Sequence, residues 1–141
     1  MIILDTNVVS EFMGSPPASA VLDWLNAQES ESLHFTAVSV AEITFGLRVL
    51  PAGKRRDLLS EQFERFLARA FATRILPFDL PAAKYYGELC ARRRRLGRPI
   101  SVADAQIASI AAASGFSVAT RNIDDFEACD VSLIDPFTSA Q

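Results

Sequence analysis

Ile100-Ser-Val-Ala-Asp-Ala-Gln-Ile-Ala-Ser-Ile-Ala-Ala-Ala-Ser-Gly-Phe-Ser-Val-Ala-Thr120 holds a helix, its stop and a strand in one short stretch. Ile100, Ile107 and Ala111 recur at helical spacing up to Ser114, and Gly115 supplies the C-terminal stop. Phe116 to Thr120 then reads as a buried strand. Working outward, a second helix spans about Pro81 to Leu96 and stops at Gly97, and Val131 to Ile134 is another strand. Toward the N-terminus, Ile75 to Phe78 is a short strand, preceded by an amphipathic helix over residues 54–72. Leu33 to Val38 is a strand followed by a helix from about Ser39 to Val49. Val21 to Asn26 suggests a helix after the Pro16-Pro17 break, and Ile2-Ile3-Leu4 opens the chain as a strand. Apolar strands that do not alternate, separated by helices, predict an α/β fold with a central parallel β-sheet flanked by helices on both faces.

The 141 residues are 50% hydrophobic and 22% charged, with 14 basic and 17 acidic side chains giving a net charge of −3. That apolar content excludes a disordered chain, and the length fits a single domain over residues 1–141. No apolar run approaches the roughly 18 residues a membrane span needs. The start has no basic segment and reaches Asp5 at once, so no signal peptide is expected. Cys90 and Cys129 make neither a disulfide framework nor a zinc set, and the expectation is a reduced, cytoplasmic chain. The acidic balance argues against a strongly basic nucleic-acid binder, although not every nucleic-acid enzyme is basic overall. No repeat, low-complexity tract or long linker divides the sequence.

Three acids stand where the pattern calls for core or for the rim of a sheet. Asp5 directly follows the first strand, at the carboxyl end where open parallel sheets place their chemistry. It also suits a plain helix cap. Glu42 shares a helical stripe with Val38, Phe45 and Val49, and Asp104 shares one with Ile100, Ile107 and Ala111. An ionised carboxylate on an apolar face is costly without a partner, so either arginines neutralise these two or they serve a site. Thr120, Asn122 and Asp125 follow another strand, where turn chemistry is the simpler reading and a shared cleft the sharper one. Two carboxylates about 4 Å apart repel by roughly 4 kcal/mol at an effective dielectric near 20. If Asp5, Glu42 and Asp104 converge, a hard divalent ion relieves that repulsion. All-oxygen donors select Mg2+, with Mn2+ as substitute, and the single histidine, His34, leaves zinc unsupported. Such an ion suits metal-assisted phosphodiester hydrolysis by water.

Met1-Ile-Ile-Leu-Asp-Thr-Asn-Val-Val-Ser10, Ser39-Val-Ala-Glu-Ile43 with Gly46, Ala103-Asp-Ala-Gln-Ile107, and Ala119-Thr-Arg-Asn122 with Asp125-Phe126 resemble the motifs of PIN-domain proteins. Their separations are 37 residues from Asp5 to Glu42, 62 on to Asp104 and 18 on to Asn122. In that order they resemble the VapC-type toxins, above all the FitB-like branch, over essentially the whole chain. Ile75-Leu-Pro-Phe-Asp79 resembles that branch too. The resemblance implies a magnesium-dependent ribonuclease, the toxin of a type II toxin–antitoxin pair. It implies an RNA substrate, a cognate antitoxin of the VapB or FitA kind, and a homodimer. It further implies that Asp5 and Asp104 hold the metal, that Glu42 ligates it or positions its water, and that Thr6 and Thr120 support the pocket. Asn122 stands where some relatives carry Asp, with Asp125 ranked behind it as the fourth site residue.

Arg92 to Arg95 and Arg98 form the one conspicuous charge run. A solvated helix end accounts for most of it, and Arg94 and Arg98 are the candidates for RNA phosphate. His34 reads as a core or surface histidine and not a catalytic base, both cysteines read as buried, and Phe45 and the face from Leu58 to Phe71 are candidate apolar surface for a partner. Two rival readings exist. A haloacid-dehalogenase-like phosphatase needs a second Asp at position 7, which is Asn. A non-catalytic binding protein has an acidic pocket that only receives a basic antitoxin residue. The six glycines never take the dinucleotide-binding spacing.

Overall fold

The computed structural model describes residues 1–13 and 16–138. Its elements in chain order are β1 (Ile2–Leu4), α1 (Thr6–Ser10), α2 (Ser19–Asn26), β2 (Leu33–Thr36), α3 (Ala37–Arg48), α4 (Lys54–Ala70), β3 (Ile75–Leu76), α5 (Leu80–Arg95), α6 (Val102–Ser114), β4 (Ser117–Ala119), α7 (Ile123–Phe126) and β5 (Leu133–Ile134). The five strands form one sheet in the order β3-β2-β1-β4-β5, and every pairing is parallel. The predicted α/β class and parallel sheet are therefore the observed ones.

The sheet is covered on both faces because its central strands β1 and β4 bury side chains on both, and β2 buries His34 and Thr36 as well as Phe35. Ile3 and Val118 turn to one side, where they join Leu89, Ile107, Ile110 and Phe126. Leu4, Phe35 and Ala119 turn to the other, with Val8, Ile43, Leu59 and Phe63. Helix α6 is the central prop. Its small Ala105, Ala108 and Ala111 are fully buried and let its backbone approach α5 and the sheet closely. Ser101 caps its start by accepting from the Asp104 N–H at 3.2 Å. Gly115 ends it at φ 71°, a left-handed turn that admits glycine readily, with Phe116 N–H returning to the Ala111 carbonyl at 2.9 Å.

Element limits differ from the sequence reading for local reasons. β2 ends at Thr36 and not Val38, because the Thr36 hydroxyl accepts from Ser39 N–H and starts α3 there. The single-turn helices α1 and α7 carry too few residues for a periodic signal. The chain steps from β1 through β2 to β3 on one side, then crosses to β4 and β5 on the other. That reversal leaves a crevice between the carboxyl ends of β1 and β4, the place where open α/β sheets put ligands.

Candidate active site

Leu4 and Ala119 are register partners at the ends of β1 and β4, so Asp5 and Thr120 emerge side by side into the crevice. Asp5 is 5% exposed and caps α1, its Oδ1 accepting from Thr6 N–H at 2.8 Å. Its Oδ2 accepts from the buried Thr120 hydroxyl at 2.8 Å and from the Asn7 side-chain amide at 3.1 Å. The other end of the Asn7 amide accepts from Arg121 N–H at 3.3 Å, which ties the two loops together. Asp5 is thus both the helix cap and a fixed carboxylate. Burial pushes its pKa up from 3.8 to about 6; the Thr120 and Thr6 hydrogen bonds oppose the shift, while the charges of Asp104 and Glu42 add to it.

Glu42 and Asp104 complete the acidic cleft from α3 and α6. The cleft holds about 400 Å³ and is lined by Asp5, Thr6, Asn7, Ser10, Glu11, Glu42, Asp104, Arg121 and Asn122. The Thr6 hydroxyl donates to Glu42 Oε1 at 2.6 Å and lies 2.8 Å from Ser39 Oγ. Burial raises the pKa of Asp104; the Ser101 hydrogen bond opposes that, and the charges of Asp125 and Glu42 reinforce it. Among the described residues the ion pairs are Arg92–Asp130, Arg98–Glu127 and Arg121–Glu11. No guanidinium neutralises Asp5, Glu42 or Asp104, so the salt-bridge alternative for these acids is absent from the described residues.

Several sequence expectations need correction. Glu42 does not sit on a core face. α3 buries Ser39, Ile43 and Leu47, whereas Phe45 and Val49 on the Glu42 side are 70% and 64% exposed. Glu42 reaches the cleft because it stands at the border of that exposed stripe. Asp125 does not line the cleft; its backbone carbonyl binds Arg93, and its side chain bears on Asp104 only through its charge. Arg94 and Arg98 do not line it either. Arg98 pairs with Glu127 at 3.1 Å and donates to the Asp124 carbonyl. His34 needs no correction: of the core and surface placements read from sequence it takes the core one, buried in β2 against Phe116.

Arg93 was hidden in the arginine run. It is 4% exposed, and its guanidinium donates to the carbonyls of Arg98 at 2.6 Å, Glu127 at 2.6 Å and Asp125 at 3.1 Å, with Pro99 at 3.4 Å. These contacts bind α5 to the turn before α6 and to α7. Ala82, Leu89 and Arg93 share the buried face of α5, and that spacing was the signal to read. Asn7 and Ser39 also belong to the hydrogen-bonded frame of the cleft, each beside a motif acid in sequence or space.

The donors facing the cleft are oxygens and amides, with no cysteine or histidine, which is the set a hard divalent cation takes. Among the described residues no three carboxylates, imidazoles or thiolates stand close enough to grip one ion together. The cleft therefore fits a cation held by one or two carboxylates that keeps part of its water shell, as Mg2+ does. A cage of three direct carboxylate ligands does not fit. Glu42, already engaged by the Thr6 hydroxyl, suits the outer role.

A family model described as PIN domain matches residues 2–131. The chain belongs to the PIN-domain family. Within that family it is 46% identical over 140 residues to the VapC ribonuclease Y4jK of Sinorhizobium fredii, covering 99% of this chain and 100% of that protein. It is 38% identical over 137 residues to toxin FitB of Neisseria gonorrhoeae, covering 97% of this chain and 99% of that one. The crystal structure of FitAcB from Neisseria gonorrhoeae superposes with a TM-score of 0.90 at 38% identity, over 97% of this chain and 99% of that chain. This PIN domain thus carries Asp5, Glu42 and Asp104 on a scaffold shared along its length with those relatives. No helix among its described residues is long and apolar enough to cross a membrane.

Proposed function

We propose that this PIN domain is a Mg2+-dependent endoribonuclease and the toxin of a VapBC-like toxin–antitoxin pair. The observation that carries the reading is the cleft at the β1–β4 crevice, where Asp5, Glu42 and Asp104 face one space and, among the described residues, none of the three forms an ion pair. Relatives named VapC ribonuclease and toxin FitB support the same activity and role.

Bound Mg2+ would supply Lewis-acid polarisation of the phosphate and a water of lowered pKa. Asp5 and Asp104 are the residues that would hold it, and Mn2+ fits the same donors. Thr120, Thr6 N–H and Asn7 fix both oxygens of Asp5, so its direction is set before any ligand arrives. Thr6 in turn holds Glu42 at the rim, placed to accept a proton or hydrogen bond from the attacking water. The Ser101 cap fixes the start of α6 and with it Asp104. Asn122, exposed at the rim, offers an amide to water or phosphate.

An antitoxin is the partner we infer, together with a second copy of the chain. Ala37, Val38, Ala41, Phe45, Val102 and Ala103 line an apolar groove beside Glu42, and such a surface suits a protein partner. The alternative of a non-catalytic scaffold predicts binding without cleavage. Incubation of the purified chain with RNA separates the two. Cleavage that stops with EDTA and returns with Mg2+ or Mn2+ supports the enzyme, and intact RNA under every metal condition contradicts it.

A further inference from the structure

We propose that Arg121 is the residue that grips the RNA backbone beside the acidic cleft. The inference rests on the ribonuclease reading above and adds to it the contact that lets an acidic site hold a polyanion. Among the described residues lining the cleft, four are carboxylates, namely Asp5, Glu11, Glu42 and Asp104, and Arg121 is the single cation. Beyond the proposed metal, a phosphodiester approaching that space meets repulsion from the protein's side chains on every side except this one. The arginines expected to help stand elsewhere, with Arg98 taken by Glu127 and the Asp124 carbonyl.

The geometry of Arg121 is that of a mounted side chain and not a free one. Its Nη2 donates to Glu11 Oε1 at 3.1 Å, and its guanidinium lies 3.8 Å from the centre of the Phe137 ring. Glu11 is anchored in turn, its other oxygen accepting from Ala18 N–H at 2.8 Å. The Arg121 backbone N–H is held by Asn7, the residue that also holds Asp5. One edge and one face of the guanidinium are thus fixed, while the Arg121 side chain remains 51% exposed. A guanidinium has five N–H donors, and among the described residues only the Glu11 contact uses them. The remaining fork suits a phosphate oxygen pair, which binds arginine in two-point fashion. Such a contact is blind to base identity, so Arg121 contributes register and affinity and leaves sequence choice to other groups.

The test measures binding of a fluorescein-labelled, mixed-sequence single-stranded RNA with phosphorothioate linkages, by anisotropy with Mg2+ present, across a KCl series. Arg121→Gln is expected to weaken binding and to flatten the slope of log affinity against log salt by about 0.7, one phosphate contact on a single strand. Arg121→Lys is expected to keep most of the slope. Glu11→Gln separates this role from a purely structural ion pair. If the pair only braces the fold, Glu11→Gln and Arg121→Gln weaken binding alike. If Arg121 meets phosphate, Glu11→Gln tightens binding, because it removes a negative charge and frees an edge of the guanidinium. Wild-type binding with an unchanged slope in Arg121→Gln, or equal losses in the two variants, overturns this inference alone. Failure of the wild type to bind RNA at all overturns the ribonuclease reading, and this inference with it.

Discussion

Asp5 and Arg93 are almost equally buried, at 5% and 4% exposure, and among the described residues neither has a counter-ion. Their surroundings are opposite. The guanidinium of Arg93 is enclosed by backbone carbonyls from the turn before α6 and from the α7 region, so its charge is solvated by the protein itself. Asp5 has its donors too, yet it opens onto a cleft that already contains Glu42 and Asp104, and burial lifts its pKa to about 6. One buried charge is complete and braces the fold. The other is left open to the cleft, where the proposed cation would complete it. The difference separates a charge satisfied by the fold from one left open to a cleft.

The contrast breaks most sharply at Asp5 itself. Asp5→Asn keeps the size and the Oδ1 cap on Thr6 N–H, but it turns the acceptor facing Thr120 and Asn7 into a donor and removes the charge. RNA cleavage is expected to fall by about a thousand-fold, equivalent to roughly 4 kcal/mol in the barrier. Stability in the absence of divalent metal should change by no more than about 2 kcal/mol at pH 7, because relief of the buried charge opposes the loss of the acceptor. Arg93→Ala should do the reverse kind of damage. Orphaning buried carbonyls is expected to cost about 3 kcal/mol in urea unfolding, with Arg93→Lys recovering part of it.

The pH dependence of stability sharpens the same comparison. The folded protein binds the Asp5 proton more tightly than the unfolded chain, since the pKa rises from 3.8 to about 6. Asp5 therefore favours folding fully below about pH 4, and that contribution is lost as pH rises through about 6, up to about 3 kcal/mol. The difference in unfolding free energy between wild type and Asp5→Asn, followed from pH 4 to 7, should trace that loss. A smaller effect is expected at Thr120→Val. Losing the 2.8 Å hydrogen bond to Asp5 should weaken metal-dependent cleavage about tenfold, with about 1 kcal/mol of stability. Smallest is Asp125→Asn, about twofold in cleavage, because this exposed side chain lies outside the cleft and acts on Asp104 through a screened charge.

The parallel sheet is legible because Ile2–Leu4 and the run around Val118-Ala119 are short apolar segments set between helices, and Gly115 marks the end of α6 plainly. Asp5 and Asp104 were legible as acids at a strand end and on a core helix. Glu42 was found by an argument that the fold overturns, since the stripe it shares with Phe45 faces outward. Periodicity gives the phase of a helix and not which apolar stripe is covered. Arg93 escaped notice because three like residues surround it, although its spacing from Leu89 and Ala82 places it inside. Arg121 is masked in sequence by the oxygen-bearing Thr120 and Asn122 on either side of it. The difference between a charge that is solvated by carbonyls and one that is not depends on contacts between distant segments, which no local pattern records.

The most direct test of the central claim is the melting temperature of wild type and Asp5→Asn at pH 7 as Mg2+ is titrated. If the buried carboxylate at the β1–β4 crevice awaits a cation, Mg2+ raises the wild-type midpoint progressively, following RT ln(1 + [Mg2+]/Kd), and leaves Asp5→Asn nearly unmoved. Equal shifts in both proteins, or no shift in the wild type up to millimolar Mg2+, would contradict the account.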